Sequence, residues 1–577
     1  MRNTKKTLLE QFLLHTTEQS RLLDTQATLD GVDESELMEN AARACLAVFR
    51  KNWPISLGSV LVICGPGNNG GDGFVLARLL KEAGYTVVVC FSDAATAMAY
   101  NIQRGQHSDQ GKKESFGRRV KEDSHDPLVR QPVRFDALES WVNLQETEDI
   151  PVYSFGMEDD CAVVVDAIFG AGLSRPVKGV VAQIATQISS GRCLVMSIDL
   201  PSGLCGDTGR VLGTAFTADV TVTFTRPKLG HYLGCGPERC GHLYVREIGI
   251  PQNTFDILNG EEIAVMNVPQ VWSQIYKRDG LRSHKYSYGH VLVCSGPANR
   301  TGAARMAAYA ALRSGAGLVT IAAPTEAMQE IACQVTSVML QEVGSTDKFT
   351  SILEDDRINC VVIGPAFGYK KRLGEFIKSV TGSRQYKNAT RSIVLDADAL
   401  TFFRQDPQIL FSDISGGRCI LTPHIGEFVA LFPDLAEEMA GKTKEIRGSN
   451  RESQELIPTV PLVREAAKRA GCVVLLKGAA TIIADPDDRC AVINLSVGRR
   501  AAPWLATAGS GDVLAGIVAG LLAQGYTPRN AASMATWLHT ESARMFGVGM
   551  IAEDLLNGIP SALKRLYKDK TPHSSLV

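Results

Sequence analysis

Short, almost wholly apolar segments that end in glycine or aspartate recur along this chain, and they constrain its fold more than any other feature. SVLVICG (59–65), TVVVCF (86–91), CAVVVDAIFG (161–170), CLVMSIDLPSG (193–203) and ADVTVTF (218–224) occupy the first half. Between the first two, GFVLARLLKEAGY (73–85) carries apolar residues at helical spacing. Strands apolar on both faces and separated by helices predict a parallel sheet covered on both sides. Ligands of such sheets gather beyond the carboxyl ends of the strands, where the polar turns fall here. A second series starts near Ser287: YGHVLVCSG (288–296), GLVTIAAP (317–324), NCVVIGPAFG (359–368), SIVLDADAL (392–400), CILTPHIGE (419–427) and CVVLLKGAATIIADP (472–486). The two series share no motif, and the weakly patterned 250–285 region lies between them. The expectation is two α/β domains, one over 1–255 and one over 275–577. The polar, charged stretch from about 101 to 140 has little periodicity and is expected to be a surface insertion.

Composition removes several function classes. A formal net charge of −2 over 577 residues gives no basic field for nucleic acid or an anionic membrane. An anionic ligand must then be held by local geometry, with backbone amides at helix N-termini the obvious means. The fourteen cysteines form no C-x-x-C pair, and no apolar run is long enough to span a bilayer. Reduced thiols and a cytoplasmic location are expected. His231, Cys235, Cys240 and His242 do not match zinc spacings, and HYLGCGPERCGH reads as a turn-rich loop.

In the first half, Gly65-Pro66-Gly67-Asn68-Asn69-Gly70-Gly71-Asp72-Gly73 follows a strand and precedes a helix. It contains G-x-G-x-x-G, with Asp93 about 20 residues on, as a dinucleotide turn expects. Two asparagines add side-chain oxygens where such a turn needs only bare backbone, which suits a phosphate together with a cation. Asp166 ends a strand before IFGAGLSRP (168–176), Asp199 stands in SIDLPSG (197–203), and Lys228 in TRPKLGH (225–231). A lone aspartate there usually caps a helix, yet several such turns from one sheet converge on one crevice.

With LMENA (37–41), GPGNNGGDG, DAIFGAG, DLPSG and FTRPKLG, residues 15–250 resemble the YjeF N-terminal family, the NAD(P)HX epimerases. The resemblance implies a Rossmann-like three-layer αβα domain. It implies that Asn68, Asn69, Gly70, Gly71 and Asp72, with Gly170, Ala171, Gly172, Leu173, Ser174, Arg175 and Pro176, hold the phosphates and nucleotide of the substrate. It further implies that Asn69, Asp166 and Ser202 coordinate potassium and that Asp199 acts at the hydrated ring.

In the second half, Gly509-Ser510-Gly511-Asp512 precedes an apolar helix, so its amides can bind a transferring phosphate. Asp512 is either a helix cap or a base for a hydroxyl that attacks phosphorus. Lys477-Gly478-Ala479-Ala480-Thr481 follows a strand and could cradle a nucleotide; a lone His424 is more often structural. Neither a Walker loop nor a protein-kinase motif set is present. KYSYGHVLV, TGAA (301–304), GAGLVT (315–320), LDADAL (395–400), LTPHIGE, LKGAAT and AGSGDVLAG (508–516) resemble the ADP- or ATP-dependent NAD(P)HX dehydratases over residues 280–560. That family implies a ribokinase-like α/β fold, with Ala303, Gly368, His424 and Asp512 on the hydrated nicotinamide nucleotide. Lys477 to Thr481 and Gly511 would hold the adenine nucleotide, with magnesium on its phosphates. Two departures stand out: Ala366 replaces a glycine of the family's G-P-G-L-G, and RRAAPW (499–504) is bulkier than usual.

Together the resemblances imply repair of hydrated NADH and NADPH by epimerisation and nucleotide-dependent dehydration, in a homo-oligomer. The competing expectation is a ribokinase-type small-molecule kinase fused to a non-catalytic nucleotide-binding scaffold.

Overall fold

The structure is a computed structural model that describes residues 11–92, 152–154, 161–190, 193–261, 263–272, 284–368, 370–440 and 456–569. Asp93 and the 101–140 stretch lie outside the described residues. The chain divides into one compact unit of Leu14–Glu261 and another of Met1–Leu13 with Glu262–Val577. The second unit therefore begins before residue 275 and takes in the described residues ahead of Leu14. No helix among the described residues is long and apolar enough to cross a membrane.

The first unit opens with helices α1 (Thr17–Leu29) and α2 (Glu34–Asn52). Strand β1 (Ser59–Cys64), helix α3 (Asn68–Glu82) and strand β2 (Val87–Phe91) follow. After them come β3 (Val152–Ser154), β4 (Cys161–Ala167), α4 (Gly179–Ser190), β5 (Leu194–Ile198), β6 (Val220–Phe224) and β7 (His242–Arg246). The sheet runs β3-β2-β1-β4-β5-β6-β7 and every described pair is parallel. Strand residues alternate between two cores: Val60, Val62, Val163 and Val165 pack with α2 and α3, Leu61, Ile63 and Val164 with α4. Two apolar faces explain the unbroken hydrophobic runs. The strand order reverses between β1 and β4, which opens a crevice at their carboxyl ends.

The second unit contains β8 (Ala264–Met266), β9 (His290–Cys294), α5 (Gly302–Ser314), β10 (Leu318–Ala323) and β11 (Met339–Glu342). Strands β12 (Ile358–Ile363), β13 (Ser392–Leu395) and β14 (Arg418–Leu421) lead to α6 (Ile425–Leu431). Strands β15 (Val473–Leu476), β16 (Ala480–Ala484) and β17 (Ala491–Leu495) precede α7 (Ser510–Ala523), α8 (Pro528–Phe546) and α9 (Ala552–Asp569). The sheet order is β8-β17-β16-β15-β14-β13-β12-β9-β10-β11, with the two-residue strand Leu13–Leu14 outside β8. Strands β9 to β15 pair in parallel, whereas β16 is antiparallel to both neighbours. The segment CVVLLKGAATIIADP is thus two strands joined at Lys477–Ala479, not one strand and its turn. Its switch point lies between β9 and β12. Helix α7 fits against α5 because Gly516 has no side chain; a Cβ there would lie 2.2 Å from the Ala307 carbonyl oxygen.

Asn267 and Trp272 show why residue 275 is too late a start. Trp272 is buried and donates to Asn267 Oδ1 at 2.9 Å, while Asn267 Nδ2 reaches Asn494 Oδ1, the Ser533 carbonyl and Thr536 Oγ1. Residues 262–577 are expected to fold alone, whereas 275–577 should lose about 3–5 kcal/mol from the missing tryptophan, beyond the orphaned polar groups. Urea unfolding of the two fragments checks this; equal midpoints would refute it.

Candidate active sites

In the first unit GPGNNGGDG is not a loop before a helix. Its Asn68 to Asp72 already form the opening turn of α3. Bare backbone permits this, since a Cβ on Gly70 would stand 2.0 Å from the Gly65 carbonyl oxygen. Asn68 is exposed and donates to Glu34 Oε1 at 3.1 Å; Asn69 is half-buried, with its Nδ2 unpartnered. A Cβ on Gly170 would lie 3.1 Å from Asn69 Oδ1 and 2.7 Å from Asp199 Oδ2, so the turns after β1 and β4 meet at this glycine. Of the residues that follow, Gly172, Ser174, Arg175 and Pro176 are exposed and Ala171 and Leu173 half-buried.

Neither Asp166 nor Asp199 caps a helix. Asp166 is fully buried and accepts from Ser202 Oγ (2.5 Å), Ser202 N (2.8 Å) and Ser197 Oγ (2.9 Å). Burial lifts its carboxyl to about 6 against those hydrogen bonds. Asp199 has φ +64 and accepts from Lys228 Nζ at 2.5 Å, Thr223 Oγ1 at 3.0 Å and the Ala171 N–H at 2.8 Å. Burial pushes this carboxyl up, but the Lys228 ammonium, His231 and the Ala171 N–H outweigh it and hold it below its ordinary value. His231 is committed to this arrangement: Nε2 sits 2.8 Å from the Asp199 carbonyl and Nδ1 accepts from the Lys228 N–H at 2.9 Å. Burial, then Lys228, drives its imidazole down to about 4. Burial raises Asp72 well above the ordinary range, with Asp199 and Asp24 adding to it. Thr223 is the side chain on Asp199 that motif reading left out, whereas Lys228 stood in the TRPKLGH turn that it had singled out without naming a partner.

In the second unit Gly509, with φ +86, stands before α7, and Asp512 lies in the first helical turn. Asp512 is no cap: its carboxylate makes no hydrogen bond among the described residues. Burial, reinforced by Asp396 and opposed by Lys477, raises it to about 6. Lys477 Nζ lies 2.7 Å from Asp396 Oδ1 and 3.8 Å from Glu427 Oε2, and 3.5 Å from where a Cβ of Gly511 would be. Gly478 and Ala479 are exposed, Ala480 half-buried and Thr481 buried with its hydroxyl on the Gly478 carbonyl. His424 opens α6: its Nδ1 accepts from the Gly426 and Glu427 amides at 2.9 and 3.3 Å while its ring stays exposed. Ala303 is half-buried in the first turn of α5, and exposed Gly368 donates its N–H to Asp398 Oδ2 at 2.9 Å. Both follow strands that flank the switch point. Asp396, Thr422 and Glu427 are the residues motif reading passed over, although LDADAL and LTPHIGE contain them.

Among the described residues six non-glycine residues have positive φ, and five of them follow strands at these two sites: Asp199, Thr225, Asn299, Ala366 and Ala397. Such strain gathers where function fixes the backbone. Ala366, at φ +47, explains the glycine usual there. Ala366→Gly is expected to stabilise the chain by about 0.5–1 kcal/mol, the left-handed penalty less glycine's greater entropy loss. A denaturant midpoint that rises at constant slope is the measurement; a lower midpoint would contradict the strain.

Both units also match known proteins in sequence. The family described as YjeF-related protein N-terminus matches residues 34–230, and the family described as NAD(P)H-hydrate dehydratase matches 291–561. The bifunctional NAD(P)H-hydrate repair enzyme Nnr of Moorella thermoacetica is 32% identical over 550 residues, 92% of this chain and 93% of that one. The enzyme of the same name from Thermofilum pendens is 32% identical over 567 residues, 95% of this chain and 96% of that one. A Bacillus subtilis ADP/ATP-dependent NAD(P)H-hydrate dehydratase structure, co-crystallised with ATP and Mg2+, is 23% identical. It covers 52% of this chain and 98% of that chain, with a TM-score of 0.40. Likeness to the two repair enzymes runs through both units, which sets aside the kinase-plus-scaffold expectation, and the chain belongs to the family of bifunctional NAD(P)H-hydrate repair enzymes.

Proposed function

We propose that the Leu14–Glu261 unit interconverts the two epimers of hydrated NADH and NADPH, and that the other unit dehydrates one epimer at the expense of ADP. The observation that carries the proposal is Asp512, a half-buried carboxylate with no hydrogen bond among the described residues, in the first turn of α7, next to Gly511, whose virtual Cβ lies 3.5 Å from the Lys477 ammonium. Asp512 takes the proton of the ring hydroxyl, whose oxygen attacks the β-phosphorus of ADP, and AMP leaves with the electrons of the broken P–O bond. Phosphate is a better leaving group than hydroxide. As the ring nitrogen's lone pair forms a C=N bond, phosphate departs with the C–O electrons, and loss of the neighbouring C–H proton restores the dihydronicotinamide. The amides opening α7 would steady the transferring group. Magnesium bound to the nucleotide phosphates would supply charge neutralisation.

In the epimerase, Asp199, kept ionised by Lys228, takes a proton from the water that adds to the ring iminium and, in reverse, returns it to the hydroxyl that departs as water when the nitrogen lone pair re-forms the iminium. Asn69, Asp166 and Ser202 offer the oxygen donors that suit potassium, and Asn69 fits because its buried Nδ2 has no partner, so the amide can turn its oxygen inward. That ion would supply positive charge for the substrate's phosphates.

The experiment is to mix the protein with hydrated NADPH and ADP and follow the absorbance of NADPH. Recovery matched one for one by AMP and phosphate supports the proposal. A stable phosphomonoester, or nucleotide turnover indifferent to hydrated NADPH, sinks it.

A further inference from the structure

We propose that Asp396 is a positioning residue for the phosphoryl transfer, fixing the Lys477 ammonium against the backbone that opens α7; this rests on the dehydratase reading above. A lysine stem has four rotatable carbons and does not hold its charge in place unaided. Here the charge is held from the ends of three adjacent strands. Asp396, directly after β13, is 2% exposed, and its Oδ1 accepts from both Lys477 Nζ (2.7 Å) and Thr422 Oγ1 (2.8 Å). Thr422 follows β14 and Lys477 follows β15. Glu427 stands 3.8 Å from Nζ on the remaining side, itself fixed by accepting the His424 N–H at 2.8 Å. The open side of the ammonium then faces Gly511, at 3.5 Å from its virtual Cβ, where a side chain would intrude on the space.

The Asp396 charge also bears on Asp512. The groups around Asp512 are the Asp396 carboxylate, the Lys477 ammonium with Glu427 beyond it, and His539, whose Nε2 meets the Ser510 carbonyl at 2.9 Å. His539 is kept neutral by burial, which drives it down to about 4. Asp396 raises Asp512 and Lys477 lowers it, so loss of the Asp396 charge lets the Asp512 carboxyl ionise at lower pH. The same turn reaches the substrate side, because a Cβ on Gly364 would lie 1.7 Å from the Asp396 carbonyl and Asp398 Oδ2 holds the Gly368 N–H. One short turn thus fixes both the nucleotide loop and the loop after β12.

The test uses the full chain with Asp396→Asn, an isosteric change that removes the charge. The turnover number for NADPH recovery is expected to fall roughly 10–100-fold, the scale of a small misplacement of a reacting group, with the KM for ADP within threefold of the wild type. The acid limb of the pH–rate profile should move to lower pH. A merely structural aspartate would lower Tm and the active fraction but leave that limb in place. Thr422→Val keeps the charge and removes one donor, so it should lower turnover less and leave the limb unmoved. Turnover of Asp396→Asn within twofold of the wild type overturns the inference. If that variant does not fold, wild-type turnover in Thr422→Val overturns it instead. A wild type without ADP-dependent recovery overturns the dehydratase reading itself, a failure seen before any variant is made.

Discussion

Replacement of Asp512 by alanine is expected to slow nucleotide-dependent recovery of NADPH by two to four orders of magnitude, the usual cost of losing a general base. Epimerisation should be untouched, because the two reactions belong to separate compact units. Fold should survive too, since Gly509 and not Asp512 stands at the N-cap and the carboxylate makes no hydrogen bond that the change would break. ADP binding should persist through Lys477 to Thr481 and the backbone. With the carboxyl raised to about 6, chiefly by burial, the wild-type reaction should lose about tenfold per pH unit below that value. Asp512→Ala should lose that limb along with the rate. Wild-type recovery in the variant, measured by the absorbance of NADPH, would show that Asp512 is not the base of the transfer.

Lys228→Met is the second large effect, and it joins stability to chemistry. The variant leaves Asp199 buried without its counter-charge, which typically costs about 3–5 kcal/mol. In the wild type Asp199 is held below its ordinary value, so the pair contributes stability above that value and loses it as pH falls through the lowered one. The variant should lack that acid-induced loss. Its carboxyl, with burial opposed only by His231, Thr223 and the Ala171 N–H, rises, and the acid limb of epimerisation moves to higher pH with a large fall in rate near neutrality. Asp199→Asn separates the two parts, because it abolishes interconversion while keeping shape. Epimerisation by both variants at the wild-type rate, followed by NMR of the two hydrates, would show that this buried pair only holds the turn together.

The strands and their order along the chain were legible because both faces of each sheet are covered, which leaves Val, Ile and Leu unbroken at SVLVICG or NCVVIG. Motif positions were legible for the same reason: the turns at the ends of those runs are where parallel sheets bind ligands. Partnerships were not. Lys228 lies 29 residues from Asp199, and Lys477 lies 81 from Asp396, separations that no helical or strand period encodes. The reversal of β16 was hidden because LKGAAT reads equally as a turn after a strand or as a link between antiparallel strands. His424 shows the opposite limit. Its place in LTPHIGE drew attention to the ring, yet the nitrogen nearest the backbone is spent on two amides at the start of α6.

The strand at Leu13–Leu14 has a consequence for how the polypeptide is made. Its pairing runs through the Phe12 carbonyl, which accepts from the Met266 N–H, and Phe12 and Leu13 pack against the second unit's core. On a ribosome these residues emerge well before the strands they join: β8 appears only after about 250 more residues and β17 after about 480. At typical elongation rates that is a delay of roughly 12–100 s. The first unit can close around Leu14 onward in the meantime, while the apolar stretch ahead of it waits without its sheet. A holdase chaperone would meet the nascent chain at that exposed stretch, and this edge of the second unit's sheet would be sealed by residues synthesised long before its own strands.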